Sequence, residues 1–103
     1  MGQRMNIAYI RKMFREGRFS FYFHAFQEAL KDGITGDDIL YVIEQGEIIE
    51  EYPERKRCLV FAFTRDNVPL HIVIDYSCED EMQVVTTYIP DRREWVAYRR
   101  RRR

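Results

Sequence analysis

The chain has 103 residues, 46% of them hydrophobic and 15% aromatic, which is enough for one compact domain with a modest core and too little for two. No apolar run approaches the roughly 18 residues of a membrane span, and the first residues lack the basic, apolar and small-residue succession of a secretory signal. The expectation is a cytoplasmic protein with no membrane segment. Formal net charge is zero, but Asp32–Glu54 holds eight acids and no Lys or Arg, whereas Arg99–Arg103 is an unbroken run of five arginines. Such a chain is electrically two-sided, which suits docking to an oppositely charged partner; a solvated acidic helix face and a basic tail leave the same signature. Cys58 and Cys78, without a Cys-x-x-Cys pair, exclude a disulfide framework and a zinc knuckle and read as ordinary thiols.

In chain order, Ile7, Ile10, Met13 and Phe14 recur at helical spacing, which predicts an amphipathic helix over Met5–Glu16 ended by Gly17. Phe19–Phe23 is a short aromatic strand, and His24–Lys31 favours helix, so His24 sits at a strand-to-helix junction where the positive helix end favours the neutral imidazole. Asp32-Gly33 breaks that helix. Thr35, with Asp38 three residues on, has the spacing of a capping box before a third helix over Gly36–Gln45. Glu47–Tyr52 reads as a strand stopped by Pro53.

Cys58–Thr64, Pro69–Tyr76 and Met82–Ile89 form the central pattern, three neighbouring strands with turn residues between them. A two-residue turn at Asp66-Asn67 pairs Phe61 with Ile72 and Ala62 with His71. Leu59, Phe61, Phe63, Leu70, Ile72 and Ile74 then share one core face covered by the helices. Cys58 falls opposite Asp75, too far along the strand from Cys78 for a disulfide. If the next hairpin closes around Ser77–Asp80, Thr86 lies opposite His71 and Tyr88 joins them on the second face. A last helix carries Trp95 and Tyr98, and the arginines beyond it bury nothing by themselves, so their removal is expected to leave stability unchanged. The fold class is α+β: an antiparallel sheet made of the three-strand meander and one or two further strands, with N-terminal helices on one face. A single domain spans residues 1–98, and 99–103 is a basic tail.

Gly-rich phosphate loops, nucleophile elbows and metal-spaced His/Cys groups are absent, so no metal and no cofactor is expected. His71, mid-strand, has the position of a hydrogen-bonded structural histidine. Tyr88 and the arginines Arg55, Arg57, Arg65, Arg92 and Arg93 also suit packing or solvation. Arg and Tyr beside His are nevertheless what metal-free RNA cleavage uses, with cations steadying the phosphorane while a base and an acid move protons.

His24-Ala25, Asp32-Gly33-Ile34-Thr35, Gly46–Pro53, Pro69-Leu70-His71 and Thr86–Asp91 with Trp95 together resemble the domain of unknown function 4258 family, over about Phe19–Trp95. The resemblance implies a fold similar to the RelE and BrnT toxins, which cleave messenger RNA and are silenced by an antitoxin, here a small zinc-finger protein. It implies a metal-independent ribonuclease toxin with His24, His71 and Tyr88 as acid/base groups, and Arg55, Arg57, Arg65 and Thr86 as contacts to RNA. Many members carry His-Ala-x-x-Arg-x-x-x-Arg-Gly, where this chain has Glu28 and Asp32, a departure that removes two phosphate contacts. The alternatives are a non-catalytic module binding protein or nucleic acid, and an inactive toxin relative that keeps its partner. Cleavage makes a geometric demand: His24 and His71 must lie within one phosphate's span, roughly 5–9 Å, with an arginine at the gap.

Overall fold

The computed structural model describes residues 4–102, so Arg103 of the basic run lies outside the described residues. Helix α1 (Ile7–Arg15), strand β1 (Phe19–Phe21), α2 (Phe23–Lys31) and α3 (Gly36–Gln45) precede β2 (Glu47–Tyr52). A 3-10 turn at Pro53–Arg55 leads to β3 (Arg57–Phe63), β4 (Pro69–Asp75) and β5 (Met82–Tyr88), followed by a small hairpin of β6 (Trp95–Val96) and β7 (Arg100–Arg101). Local chemistry sets the helix ends. The Asn6 side chain accepts from the Ala8 N–H at 2.7 Å to start α1, and Thr35 and Asp38 form the capping box of α3. Gly17, at φ 75°, ends α1: the Arg18 N–H reaches the Met13 carbonyl and the Gly17 N–H reaches that of Phe14, which satisfies two carbonyls the helix would leave open.

The main sheet has the order β1-β5-β4-β3-β2 and is mixed, a correction to the expected antiparallel sheet. β1 lies parallel to β5, with Phe19 beside Met82 and Phe21 beside Val84. A parallel neighbour is reached through intervening helices rather than a turn, so no local residue pattern announces it.

The β3–β4 register also differs from expectation by one residue. The loop is Arg65-Asp66-Asn67, with Asn67 at φ 68°, the Asn67 N–H on the Thr64 carbonyl and the Thr64 N–H on the Val68 carbonyl. This is the three-residue hairpin loop that ends in a left-handed residue. Phe61 therefore pairs with His71 and Val60 with Ile72. Cys58, Val60, Leu70, Ile72, Ile74 and Val84 pack with Ile10, Met13, Ala25, Ala29, Ile39 and Val42 in the helix-side core. Leu59, Phe61 and Phe63 move to the reverse face, where Leu59 and Phe61 are buried and Phe63 is partly exposed. Cys58 sits opposite Ile74, not Asp75. Both thiols are free, Cys58 buried and Cys78 exposed.

What buries the reverse face is the C-terminal segment, and it is not a helix. The Glu94 and Trp95 N–H groups close one turn on the Asp91 carbonyl, after which Trp95 goes under. Ala97 and Tyr98, both left-handed at φ 53° and 62°, then make a tight turn whose Arg99 N–H bonds the Val96 carbonyl. Arg100 pairs with Val96 and Arg101 with Trp95. Arg99–Arg102 are exposed, as expected, yet Arg100 and Arg101 form a strand of the fold rather than hanging from it. Among the described residues, no helix is long and apolar enough to cross a membrane.

Candidate functional site

His71 is fully buried in the centre of the reverse face. Its Nε2 lies 2.6 Å from the Tyr98 carbonyl, which can only accept, so Nε2–H donates and Nδ1 accepts the Tyr88 hydroxyl proton at 3.1 Å. The ring meets Trp95 edge-on with centroids 4.4 Å apart and is flanked by Tyr88 and Phe61. Burial pushes the His71 pKa below its ordinary value against the pull of the Tyr98 carbonyl, and burial pushes Tyr88 up to about 12. Both groups are neutral near pH 7, and both imidazole nitrogens are occupied. The pair holds the C-terminal hairpin to the sheet and offers no proton to a ligand.

The β4–β5 connection shifts the register by one residue from expectation and an irregularity between Val73 and Ile74 adds a second, so Tyr88, not Thr86, lies opposite His71; Thr86 lies opposite Val73 and is exposed. Thr86 instead shares the lining of a hollow with the other predicted residue, His24. Exposed on the first turn of α2, His24 lines a shallow hollow with Ala25, Glu28, Val85, Thr86 and Thr87. α2 packs through Ala25 and Ala29 into the core that contains Ile72, and Ile72 points away from His71 on the alternating strand. The two histidines thus lie on opposite sides of the sheet. The geometry required for RNA cleavage by that pair is not met.

Nor do the arginines converge. Arg57 Nε binds Asp75 Oδ2 at 2.9 Å. Burial disfavours the Asp75 carboxylate, but Ser77 and Arg57 outweigh it and hold its pKa below the ordinary value. Arg57 is therefore engaged within the fold. Arg55 is exposed in the 3-10 turn, and Arg65 stacks over Tyr41 at 4.8 Å in the β3–β4 loop, at the other end of a seven-residue strand. That strand separates them by about 20 Å, too far for one phosphate.

The cations that do share a surface are those of Asp91–Arg102. Arg99 lies over the Phe61 ring at 5.0 Å and binds Glu47. Arg101 lies over Trp95 at 4.6 Å and binds Glu50 at 3.0 Å. Arg102 Nε donates to the Arg92 carbonyl. Arg100 and Arg102 have no carboxylate partner among the described residues. The run of arginines announced this surface; its anchoring on Glu47 and Glu50, more than 50 positions away in the chain, had no local signal. Thr87 was also missed, because only the parallel β1 and the packing of α2 place it beside His24.

A profile described as Domain of unknown function (DUF4258) matches residues 21–89. The chain belongs to that family. Its match runs from the end of β1 to just past β5, so the DUF4258 region contains His24, Thr86, Thr87, His71 and Tyr88, while the arginine hairpin follows it. No curated protein and no solved structure matches the chain.

Proposed function

We propose that this DUF4258 protein is a non-catalytic binding module of toxin-like descent, which holds RNA on its C-terminal arginine surface without cutting it. The observation that carries this reading is the position of His71, sealed beneath Trp95 and Tyr98 with both nitrogens bonded, while His24 is exposed on the other side of the sheet. Acid/base cleavage needs two proton-transfer groups about one phosphate; binding needs only exposed cations over a firm base. The reading takes the fold to be a relative of the RelE and BrnT toxins, with activity lost and partner binding kept. A small zinc-finger antitoxin is the protein partner it implies.

The test is titration of a fluorescent mixed-sequence single-stranded RNA with the full chain at several salt concentrations, followed by gel analysis of the same RNA. Engagement of three or four phosphates gives a log–log salt slope of about −2 to −3, from about 0.7 counterion per phosphate. The expected result is salt-sensitive binding, intact RNA, and normal growth when the protein is expressed in cells. RNA cleavage abolished by His24→Ala would restore the ribonuclease reading; absence of binding at low salt would remove RNA as the ligand.

A further inference from the structure

A hollow of about 300 Å³ lies where β3 outruns its neighbour β2, lined by Gln45, Glu47, Phe61, Ala62, Phe63 and Arg99. At the two ends of β3, the Thr64 N–H bonds the Val68 carbonyl and the Lys56 carbonyl accepts from the Tyr76 N–H, so the even-numbered residues turn their backbone groups toward β4. Backbone groups alternate in direction along a strand, so Phe63 turns its N–H and carbonyl toward β2. β2 begins only at Glu47, opposite Phe61, and Gln45 before it ends α3. Neither backbone group of Phe63 has a hydrogen-bond partner among the described residues.

The lining selects its occupant. Its one anion and one cation are bonded to each other, Arg99 Nε to Glu47 Oε1, so the hollow carries no net charge and favours neither a phosphate nor a free cation. A carboxylate has about four lone-pair sites, which leaves Glu47 able to accept further bonds. Phe63 is 38% exposed, and T-shaped contacts to Phe61 at 5.3 Å and to Tyr98 at 6.0 Å fix its ring. A neutral, planar group with donors and acceptors on its rim fits such a lining. Unpaired nucleobases are groups of this kind, held by stacking on aromatic rings and by hydrogen bonds to their edges. Guanine alone among the four bases presents two adjacent N–H donors, at N1 and N2, beside an acceptor, O6. A carboxylate can accept from both donors while a backbone N–H donates to O6. Adenine and cytosine put an unprotonated ring nitrogen where guanine has N1–H, and uracil flanks its single N–H with two carbonyl oxygens, which a carboxylate repels.

We infer that this hollow takes one unpaired guanine of the RNA held on the arginine surface, with Glu47 accepting from N1–H and N2–H, the Phe63 N–H donating to O6 and the Phe63 ring stacked on the base. Arg99 joins the two places, since it opens the arginine run and also lines the hollow. The inference rests on the RNA binding proposed above and adds a base preference to it.

The probes are short single-stranded RNAs of uridine carrying one central guanosine, adenosine or cytidine, with the all-uridine strand as the fourth. Each is titrated with the full chain by fluorescence anisotropy at low salt, and the Phe63 amide is followed in 15N spectra. The guanosine strand is expected to bind about tenfold tighter than the other three, as one bidentate base contact gives, and to be the strand that shifts the Phe63 amide. Glu47→Gln is expected to bring the four strands within about twofold of one another, while the all-uridine strand binds more tightly because the charge that restrains Arg99 is gone. Phe63→Leu keeps apolar cover, loses the ring, and is expected to weaken the guanosine strand about fivefold. Equal, salt-sensitive binding of all four strands by the unaltered chain would overturn the guanine pocket and leave the arginine surface standing; no binding of any strand would overturn both. Preference for adenosine or cytidine, or a guanosine preference that survives Glu47→Gln, would also overturn it.

Discussion

Replacing His71 by alanine removes a fully buried ring that fills the space between Phe61, Tyr88 and Trp95 and bonds at both nitrogens. The cavity alone costs about 2–4 kcal/mol on the scale of other large-to-alanine core changes, and the stranded Tyr98 carbonyl adds about 1 kcal/mol. Since each kcal/mol lowers the melting temperature of a domain of this size by about 4–8 °C, His71→Ala is expected to fall by at least about 12 °C. Tyr88→Phe deletes only the hydroxyl that donates to Nδ1 and is expected to cost about 1 kcal/mol. The histidine also leaves a mark on pH dependence. Folding lowers the His71 pKa through burial, while the unfolded chain protonates near the ordinary value of about 6.5. As pH falls below about 6.5 the unfolded state takes up the proton first, so His71's contribution is full above that value and is lost as pH falls through the folded pKa. Asp75, whose pKa is held below 3.8, titrates outside this window. Circular-dichroism melts between pH 8 and 5 check both statements. A His71→Ala protein within about 1 kcal/mol of the parent, or a parent melting temperature flat across that range, would refute the structural role. The consequence for functional assays is direct: loss of any cellular effect in His71→Ala reports on the fold unless the melt is unchanged, so His24→Ala is the cleaner probe of chemistry.

Truncation after Tyr98 removes two cation–π contacts, each worth about 0.5–1 kcal/mol, along with strand β7, and should lower the melting temperature by several degrees while weakening RNA binding. An unchanged melt would mean that the hairpin merely rests on the sheet. A methyl at Gly46 would sit 2.5 Å from the Val42 carbonyl oxygen and 2.7 Å from Val60 Cγ1, so Gly46→Ala should lose about 1–3 kcal/mol by denaturant titration. Asn67→Gly should be nearly neutral and Asn67→Ala should cost about 1 kcal/mol, because position 67 is left-handed; equal melts for the two would count against the three-residue loop. Of the two thiols, Cys78 should react rapidly with a disulfide reagent at pH 8, whereas buried Cys58, with its pKa pushed up to about 12, should react only on unfolding.

The elements whose signals are local were legible in the sequence. α3 spans the expected Gly36–Gln45, and its capping box was readable from Thr35 and Asp38. β2 spans the expected Glu47–Tyr52, and α1 differs from expectation only by one or two residues at its ends, whereas the expected strand Phe19–Phe23 stops at Phe21 because Tyr22 caps α2 and Phe23 begins it. What depends on distant pairing was not legible. The parallel β1–β5 contact carries no turn, and the Trp95–Tyr98 spacing suits a helix until Trp95 is needed to cover His71.

Function turned on the least legible quantity of all, one residue of register. A two-residue turn at Asp66-Asn67 would have faced Ala62 with His71 and left Phe61 among the helices, so His71 would have lain on a lightly covered second face. With three residues in the loop, Phe61 comes over beside His71, bringing aromatic surface that Trp95 and Tyr98 must then enclose. Enclosure makes the imidazole a neutral, doubly bonded post. Outside that cluster His24 and Thr86 line one hollow between α2 and β5, whose formal charge is that of Glu28. A short strand reads the same on either register, because alternation survives a one-residue slip while the face it assigns is exchanged. The chemistry that a histidine can perform is set by that face, and so the residue types that suggested a ribonuclease assemble here into a clasp on one side of the sheet and a pocket on the other.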